Sequence, residues 1–450
     1  MSRMLGLWLL LYFGGLGLAI IHPFFPLIAY LAFYYMPPHL NWWGSPLPDL
    51  RYSLTAAAVL GLSVILLRSQ LEPLKEEKNP AMRWFTAFGL NSVTVTAWAL
   101  DAARSWMYTV VLLKLVILYS LVPAAVRTPA QFDWFGTAHV VGASYWGYKA
   151  WTNPKRESGR LMAVGGVDTQ NDNQAAGHLL TVIPFIALYA LTEKRIVRRA
   201  VIAVCGAFVI NVFILCNSRG ATVGLVITAV SAIFLAGAGR RKHLIAAAIL
   251  GGMTVLYLAD AEFVERQQTT TNAQDSSALS RYVIWRAGLE VLKDHPFGGG
   301  GRTFHLLSPK YLPREMMEKY DQGTERSPHN TFIQLATDWG VQGFLLFSIF
   351  LFFTFRMLHR IRKRAAGDSW YIYRSLAIQS ALIGTLTAGF FSSRLYGEST
   401  YWMCALAFAL YRIQSTELSR VATGTVAEPE GQPVVRIPPS LAAARRGVSA

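Results

Sequence analysis

The 450-residue chain is 53% hydrophobic, 13% aromatic and only 15% charged, a balance that excludes an ordinary soluble protein of this size. Its formal net charge of +16 raises nucleic-acid binding, yet the basic residues cluster in short connections between apolar runs, at Lys194-Arg195, Arg198-Arg199, Arg240-Arg241-Lys242 and Arg360 to Arg364. That is the positive-inside pattern of a membrane protein, so membrane lipids are the expected surroundings and no nucleic acid is expected as a partner.

Apolar runs of helical length recur from the start: Met4–Ile21, Val110–Val126, Val201–Leu215, Ala221–Leu235, Leu244–Leu258 and Thr331–Phe355. Each is near the roughly 20 residues needed to cross a bilayer. The first run follows Arg3 without small-residue cleavage chemistry, so it reads as a retained first helix. Pro23 and Pro26 break the first apolar block, and His139–Trp151 is interrupted by glycine and serine, leaving open whether it spans or lies at the interface. The expected fold is all-α, a polytopic transmembrane helical bundle of about 12–13 helices with a long, partly helical periplasmic loop. Cys205, Cys216 and Cys404 lie in or beside apolar runs and have no metal or disulfide spacing, so they read as packing residues.

The predicted organisation is N-terminal helices over 1–170, central helices over 171–259, a periplasmic loop over 260–330, C-terminal helices over 331–414 and a disordered cytoplasmic tail over 415–450. With the basic clusters inside, Asn217-Ser218-Arg219, the loop and the turn at Arg394-Leu395-Tyr396-Gly397-Glu398 all fall outside.

On that face Asp168 and Asp172 are the nearest thing to an acidic site, with a capped loop as the plainer reading. Arg219 stands between two apolar runs without a local acid. It is either a residue that snorkels to lipid headgroups or a bidentate donor to a phosphate. Further on, Ser280 is placed to cap a helix in which Arg281, Ile284, Trp285, Gly288 and Leu292 share one face. Arg281 and Arg286, five residues apart, point about 140° away from each other, and Arg281 is preferred for a site because it opens the helix at the positive dipole end. Gly298 to Gly301 read as a flexible turn, because no strand or P-loop pair accompanies them. His329 lies between Pro328 and Asn330. A lone histidine is ordinarily a solvated or hydrogen-bonded residue, but Asn330 is positioned to cap the next helix and hold His329 over the membrane surface as a general base. No DxD-like pair, HExxH or His/Cys cluster points to a metal, and no cofactor is expected.

Asn217-Ser218-Arg219-Gly220, Arg281 with Ile284-Trp285, Asp294-His295-Pro296-Phe297 with the glycines, and His329-Asn330 ahead of Asp338-Trp339-Gly340 resemble in order and spacing the O-antigen ligase and polymerase superfamily. Asp172-Asn173 before an apolar helix is similar to a further feature of that family. His22-Pro23-Phe24 and Phe33-Tyr34-Tyr35-Met36-Pro37-Pro38-His39 resemble the N-terminal region of O-glycosylation ligases found with exosortase systems. The unbroken run of four glycines and the basic-acidic segment Lys310 to Arg326 depart from the family pattern.

The resemblance implies a GT-C type glycosyltransferase of the bacterial inner membrane that takes a glycan from undecaprenyl diphosphate at the periplasmic face. Catalytic roles carry over to His329, Arg219 and Arg281, donor diphosphate contacts to Arg219, Arg281 and Arg286, and supporting roles to Asn330 and Asp172. The expected chemistry is metal-independent and inverting: the arginines hold the diphosphate and His329 takes the proton of the acceptor hydroxyl. Lipid A-core, a growing glycan and a protein all remain open as acceptor, so ligase, repeat-unit polymerase and protein O-glycosyltransferase stand side by side. The expected state is a monomer. A transporter of lipid-linked sugars is the rival from another class, but it would carry its polar groups near mid-membrane in broken helices.

Overall fold

The computed structural model describes residues 2–48, 50–157, 159–166, 168–169, 171–268, 276–321 and 324–423. Before the loop come α1 (Arg3–Gly17), α2 (Phe24–Tyr35), α3 (Tyr52–Leu66), α4 (Pro80–Thr96), α5 (Ala102–Ala125) and α6 (Pro129–Thr152). A two-stranded hairpin, β1 (Arg156–Glu157) and β2 (Arg160–Leu161), then leads to α7 (Asp172–Thr192), α8 (Ile196–Cys216), α9 (Arg219–Leu235) and α10 (Ala238–Leu258). Four helices build the insertion, α11 (Ala261–Gln268), α12 (Ser276–Asp294), α13 (Thr303–Tyr311) and α14 (Arg314–Asp321). The bundle closes with α15 (Thr331–Arg364), α16 (Ser369–Gly389) and α17 (Glu398–Ala422).

Among the described residues, thirteen helices, α1–α10 and α15–α17, therefore make an all-α bundle, and the hairpin is the one sheet. Five of them meet the length and apolarity of a membrane span: Arg3–Ile20, Ala102–Ala125, Asp172–Thr192, Ile196–Cys216 and Thr331–Arg364. Together with the short apolar helices Tyr52–Leu66 and Arg219–Leu235 they make this a multi-pass membrane protein. Long helices that miss the criterion carry polar groups turned toward one another. Asp133 of α6 and Arg374 of α16, for example, pair at 2.6 Å inside the bundle. The segment left open between spanning and interfacial is continuous helix, since α6 runs unbroken over 24 residues behind a Thr128–Gln131 capping box and buries Phe132, His139 and Trp146.

Three elements differ from the reading of the sequence. α12 starts at Ser276, so Ser280 lies inside the helix and Arg281 is beyond its first turn. The dipole argument for Arg281 lapses with that, because the effect fades within one turn. α15 runs on to Arg364 through the basic cluster, whose charges suit a helix C-terminus. α17 continues to Ala422, through the first residues assigned to the tail, and the expected tail from 424 onward lies outside the described residues.

The glycine run is packed rather than flexible. α15 breaks at Gly340 (φ 76°, ψ 175°), which releases backbone carbonyls of the preceding turn. The backbone N–H groups of Gly299 and Gly300 donate to the carbonyls of Thr337 and Asp338 at 3.2 and 3.0 Å, and Val341 donates back to Pro296 at 2.9 Å. Gly298 and Gly300 have φ of +83° and +94°, and a Cβ on Gly298 would lie 2.5 Å from the Gly340 nitrogen. Only glycine fits where two backbones touch in a left-handed conformation. Non-helical backbone at this depth is tolerated because its groups pair within the protein.

Candidate active site

A cavity of about 600 Å³ opens at the end of the bundle that carries the insertion. Its lining includes Tyr108, Arg160, Asp168, Asp172, Asn173, Arg302, His305, Ser327, His329, Arg394 and Tyr396. Three helices, α7, α13 and α15, begin at or beside it, so the positive ends of their dipoles add to a field that favours anions.

His329 sits on this wall, half-buried, in a left-handed conformation (φ 47°). Asn330 caps α15 as its position suggested, accepting from the N–H groups of Phe332 and Ile333 at 2.9 and 3.1 Å. The His329 N–H donates to the Ser327 hydroxyl, which is 3.1 Å from that of Ser393. Thr331 closes the same joint, its hydroxyl donating to the Ser392 carbonyl at 2.7 Å. Asn217, Arg302 and His329, three of the six positive-φ non-glycine residues among those described, each stand at the start of a helix at this site. Each such conformation costs about 1–2 kcal/mol, so strain is concentrated here.

The turn between α16 and α17 ties the arginines to the histidine. Phe391 packs on Gly220, where a Cβ would come within 2.5 Å of its own Cβ, and the guanidinium of Arg281 lies 5.8 Å from its ring centroid. Arg219, the first residue of α9, follows Ser218, whose hydroxyl donates to Asn173 of the cavity wall at 2.7 Å. Arg281 itself and Gly220 next to Arg219 thus meet Phe391, which precedes the cavity-lining Ser392 and Ser393, whereas Arg286 is exposed on α12. Asp172 does not cap α7; Asn171 does, and Asp172 pairs with Arg160 at 2.6 Å.

Reading by residue pattern missed Arg160, Arg302, Arg394 and His305. Arg394 is buried with its guanidinium donating to the Gln174 carbonyl, a contact 220 residues away in sequence. Arg302 lies over the Tyr108 ring at 5.6 Å. His305 is driven down to about 3 by burial, with the Arg302 charge adding to it, so it stays neutral. Asp338 is buried behind this wall, accepting from Thr303 N–H and from the Tyr396 hydroxyl, both at 3.0 Å. Arg394 was the one with a signal, since its turn had already been assigned to the face of His329. Three arginines, Arg160, Arg302 and Arg394, against two carboxylates, Asp168 and Asp172, give the cavity a net positive character.

A second cavity, of about 400 Å³ and almost wholly apolar, lies between α7, α9, α10 and α16. Its lining begins at Thr222, about one turn along α9 from Arg219.

The fold is thus an all-α, multi-pass bundle with a polar, arginine-rich cavity at the end that carries the insertion, an environment that favours negative charge. Residues 204–348, about a third of the chain, match the family model described as O-antigen ligase. The chain is also 25% identical over 203 residues to the exopolysaccharide production protein ExoQ of Rhizobium meliloti (strain 1021). That match covers 43% of this chain and 46% of ExoQ, so the chain spans less than half the length of that relative.

Proposed function

We propose that the protein transfers a glycan from undecaprenyl diphosphate to an acceptor hydroxyl at the periplasmic face of the inner membrane, without a metal and with inversion. The observation that supports this reading is that Gly220 beside Arg219, the guanidinium of Arg281 and Ser327 two residues before His329 all meet the 391–393 turn. A diphosphate is a good leaving group once its developing charge is matched, and arginines beside a helix N-terminus match it. The acceptor hydroxyl then gives its proton to His329 as its oxygen attacks the anomeric carbon, while the bond to the diphosphate breaks. The apolar cavity that begins a turn from Arg219 supports a donor with a hydrocarbon tail.

Lipid A-core, a growing glycan and a protein are the candidate acceptors, and the name of the relative, an exopolysaccharide production protein, favours the growing glycan. Incubating purified protein with lipid-linked glycan and each acceptor separately tests this. Transfer to one of them in detergent is the expected result, and donor binding should weaken in Arg219→Ala and Arg281→Ala. Unchanged donor affinity in both variants would remove the diphosphate assignment. Net glycan movement across vesicles without any transfer would favour a transporter.

A further inference from the structure

A buried series of polar side chains leads from the cavity into the bundle, outside residues 204–348. Asp168 lines the cavity with both carboxylate oxygens engaged: Oδ1 accepts from the Tyr34 hydroxyl at 2.5 Å and Oδ2 from the Glu398 N–H at 2.8 Å. Behind Tyr34, its hydroxyl is 3.2 Å from His178 Nδ1, and His178 Nε2 is 2.8 Å from the Tyr35 hydroxyl. Tyr35 is in turn 2.5 Å from His139 Nδ1, and His139 Nε2 is 3.1 Å from Thr181 Oγ1. Thr181 also lies 2.7 Å from the His178 carbonyl. His178 is six residues into α7, about 9 Å below its start. Phenylalanine and leucine would fill this space at lower desolvation cost, so a connected polar series needs a reason.

Counting hydrogens supplies one. Each hydroxyl has a single hydrogen and each neutral imidazole a single N–H. With Asp168 ionised, every donor points toward the cavity: Thr181 to His139 Nε2, His139 Nδ1–H to Tyr35, Tyr35 to His178 Nε2, His178 Nδ1–H to Tyr34, and Tyr34 to the carboxylate. With Asp168 protonated, every bond reverses: the carboxyl donates to Tyr34, Tyr34 to His178 Nδ1, His178 Nε2–H to Tyr35, Tyr35 to His139 Nδ1, His139 Nε2–H to Thr181, and Thr181 to the His178 carbonyl. Both arrangements give every hydrogen an acceptor; the second also keeps the Thr181 bond to the His178 carbonyl, which the first gives up for His139 Nε2. They differ by one proton, carried on Asp168, and no heavy atom moves.

We propose that Asp168 is a proton-holding residue of the cavity, and that Tyr34, His178, Tyr35, His139 and Thr181 form a reversible hydrogen-bond relay that stabilises both its states. The proposal rests on the glycosyl-transfer reading for its purpose. His329 and Asp168 line one cavity, so the proton that His329 takes from the acceptor hydroxyl passes to Asp168 and from there to solvent through the open cavity, which returns both groups to their starting states. Arg394 and Glu398 act on Asp168 from the α17 side, with Tyr30 and Lys114 in turn facing Glu398, and Arg160 and His329 share its cavity.

The test is an infrared titration of the purified full-length protein, following the protonated-carboxyl band that Asp168→Asn removes, with glycan transfer measured over the same pH range. Tyr34→Phe takes a donor from the carboxylate, so the band and the acidic limb of the transfer profile should move together to higher pH. Thr181→Val, isosteric and at the far end of the relay, should displace both from their wild-type positions and guards against misfolding of the tyrosine variant. A band and limb that stay in place in both variants would overturn the relay. A band that shifts while no acceptor is glycosylated leaves the relay standing and removes the transferase reading.

Discussion

At His329 a left-handed backbone, a buried proline before it and a capping asparagine after it fix the imidazole more tightly than a loop residue usually is. A base held this way contributes about 10²–10⁴ in rate. Asn330→Ala removes two hydrogen bonds to the start of α15 and should cost about 1 kcal/mol in thermal or denaturant unfolding while loosening His329. Arg281→Ala should depress transfer far more than Arg286→Ala, because only Arg281 reaches the Phe391 turn; equal effects in a rate assay would refute that difference. His329, Asn330 and Arg219 could be found in the sequence because each sits at a local boundary between polar and apolar residues. Arg160 and Arg302 could not, because tertiary contacts place them, and Arg394 is legible only as part of an outer turn, since its place in the cavity depends on the bond to Gln174.

The elements that position these residues depend on one irregular junction, where the glycine run fills the break in α15. Gly298→Ala should destabilise the protein by more than about 1 kcal/mol and lower activity with it, since it adds a side chain at positive φ against backbone. Unfolding midpoints of the variant equal to wild type would contradict the packed junction. The run reads as a flexible turn in the sequence because composition records the freedom of glycine and not the backbone pressed against it. The start of α12 was misjudged for a related reason: Ser280 has the chemistry of a cap, but the helix continues past it. His305 of α13 adds a pH dependence. Its folded-state value is about 3 against an ordinary 6.5, so protonation favours the unfolded chain. Its contribution is whole above pH 6.5, falls as pH drops toward 3, and should be absent in His305→Gln, as thermal unfolding against pH will reveal.

For the whole molecule, hydropathy and charge made the all-α membrane class legible, because a bilayer leaves few solutions for a chain this apolar. The number of spans is less legible, since helices such as α6 and α16 hide an ion pair from lipid and lose their apolar signature in doing so. If the basic connections are cytoplasmic, a cysteine at Glu318 should react with an impermeant reagent from the periplasmic side and one at Arg240 only after the membrane is opened. The opposite pattern would invert the orientation. The central proposal is that His329 acts as base beside arginines that take the donor diphosphate. Its most direct test is the turnover of purified His329→Ala against wild type with lipid-linked glycan and acceptor in detergent. The account predicts a folded protein, unchanged donor affinity and a loss of about 10²-fold or more in rate; transfer at the wild-type rate would contradict it.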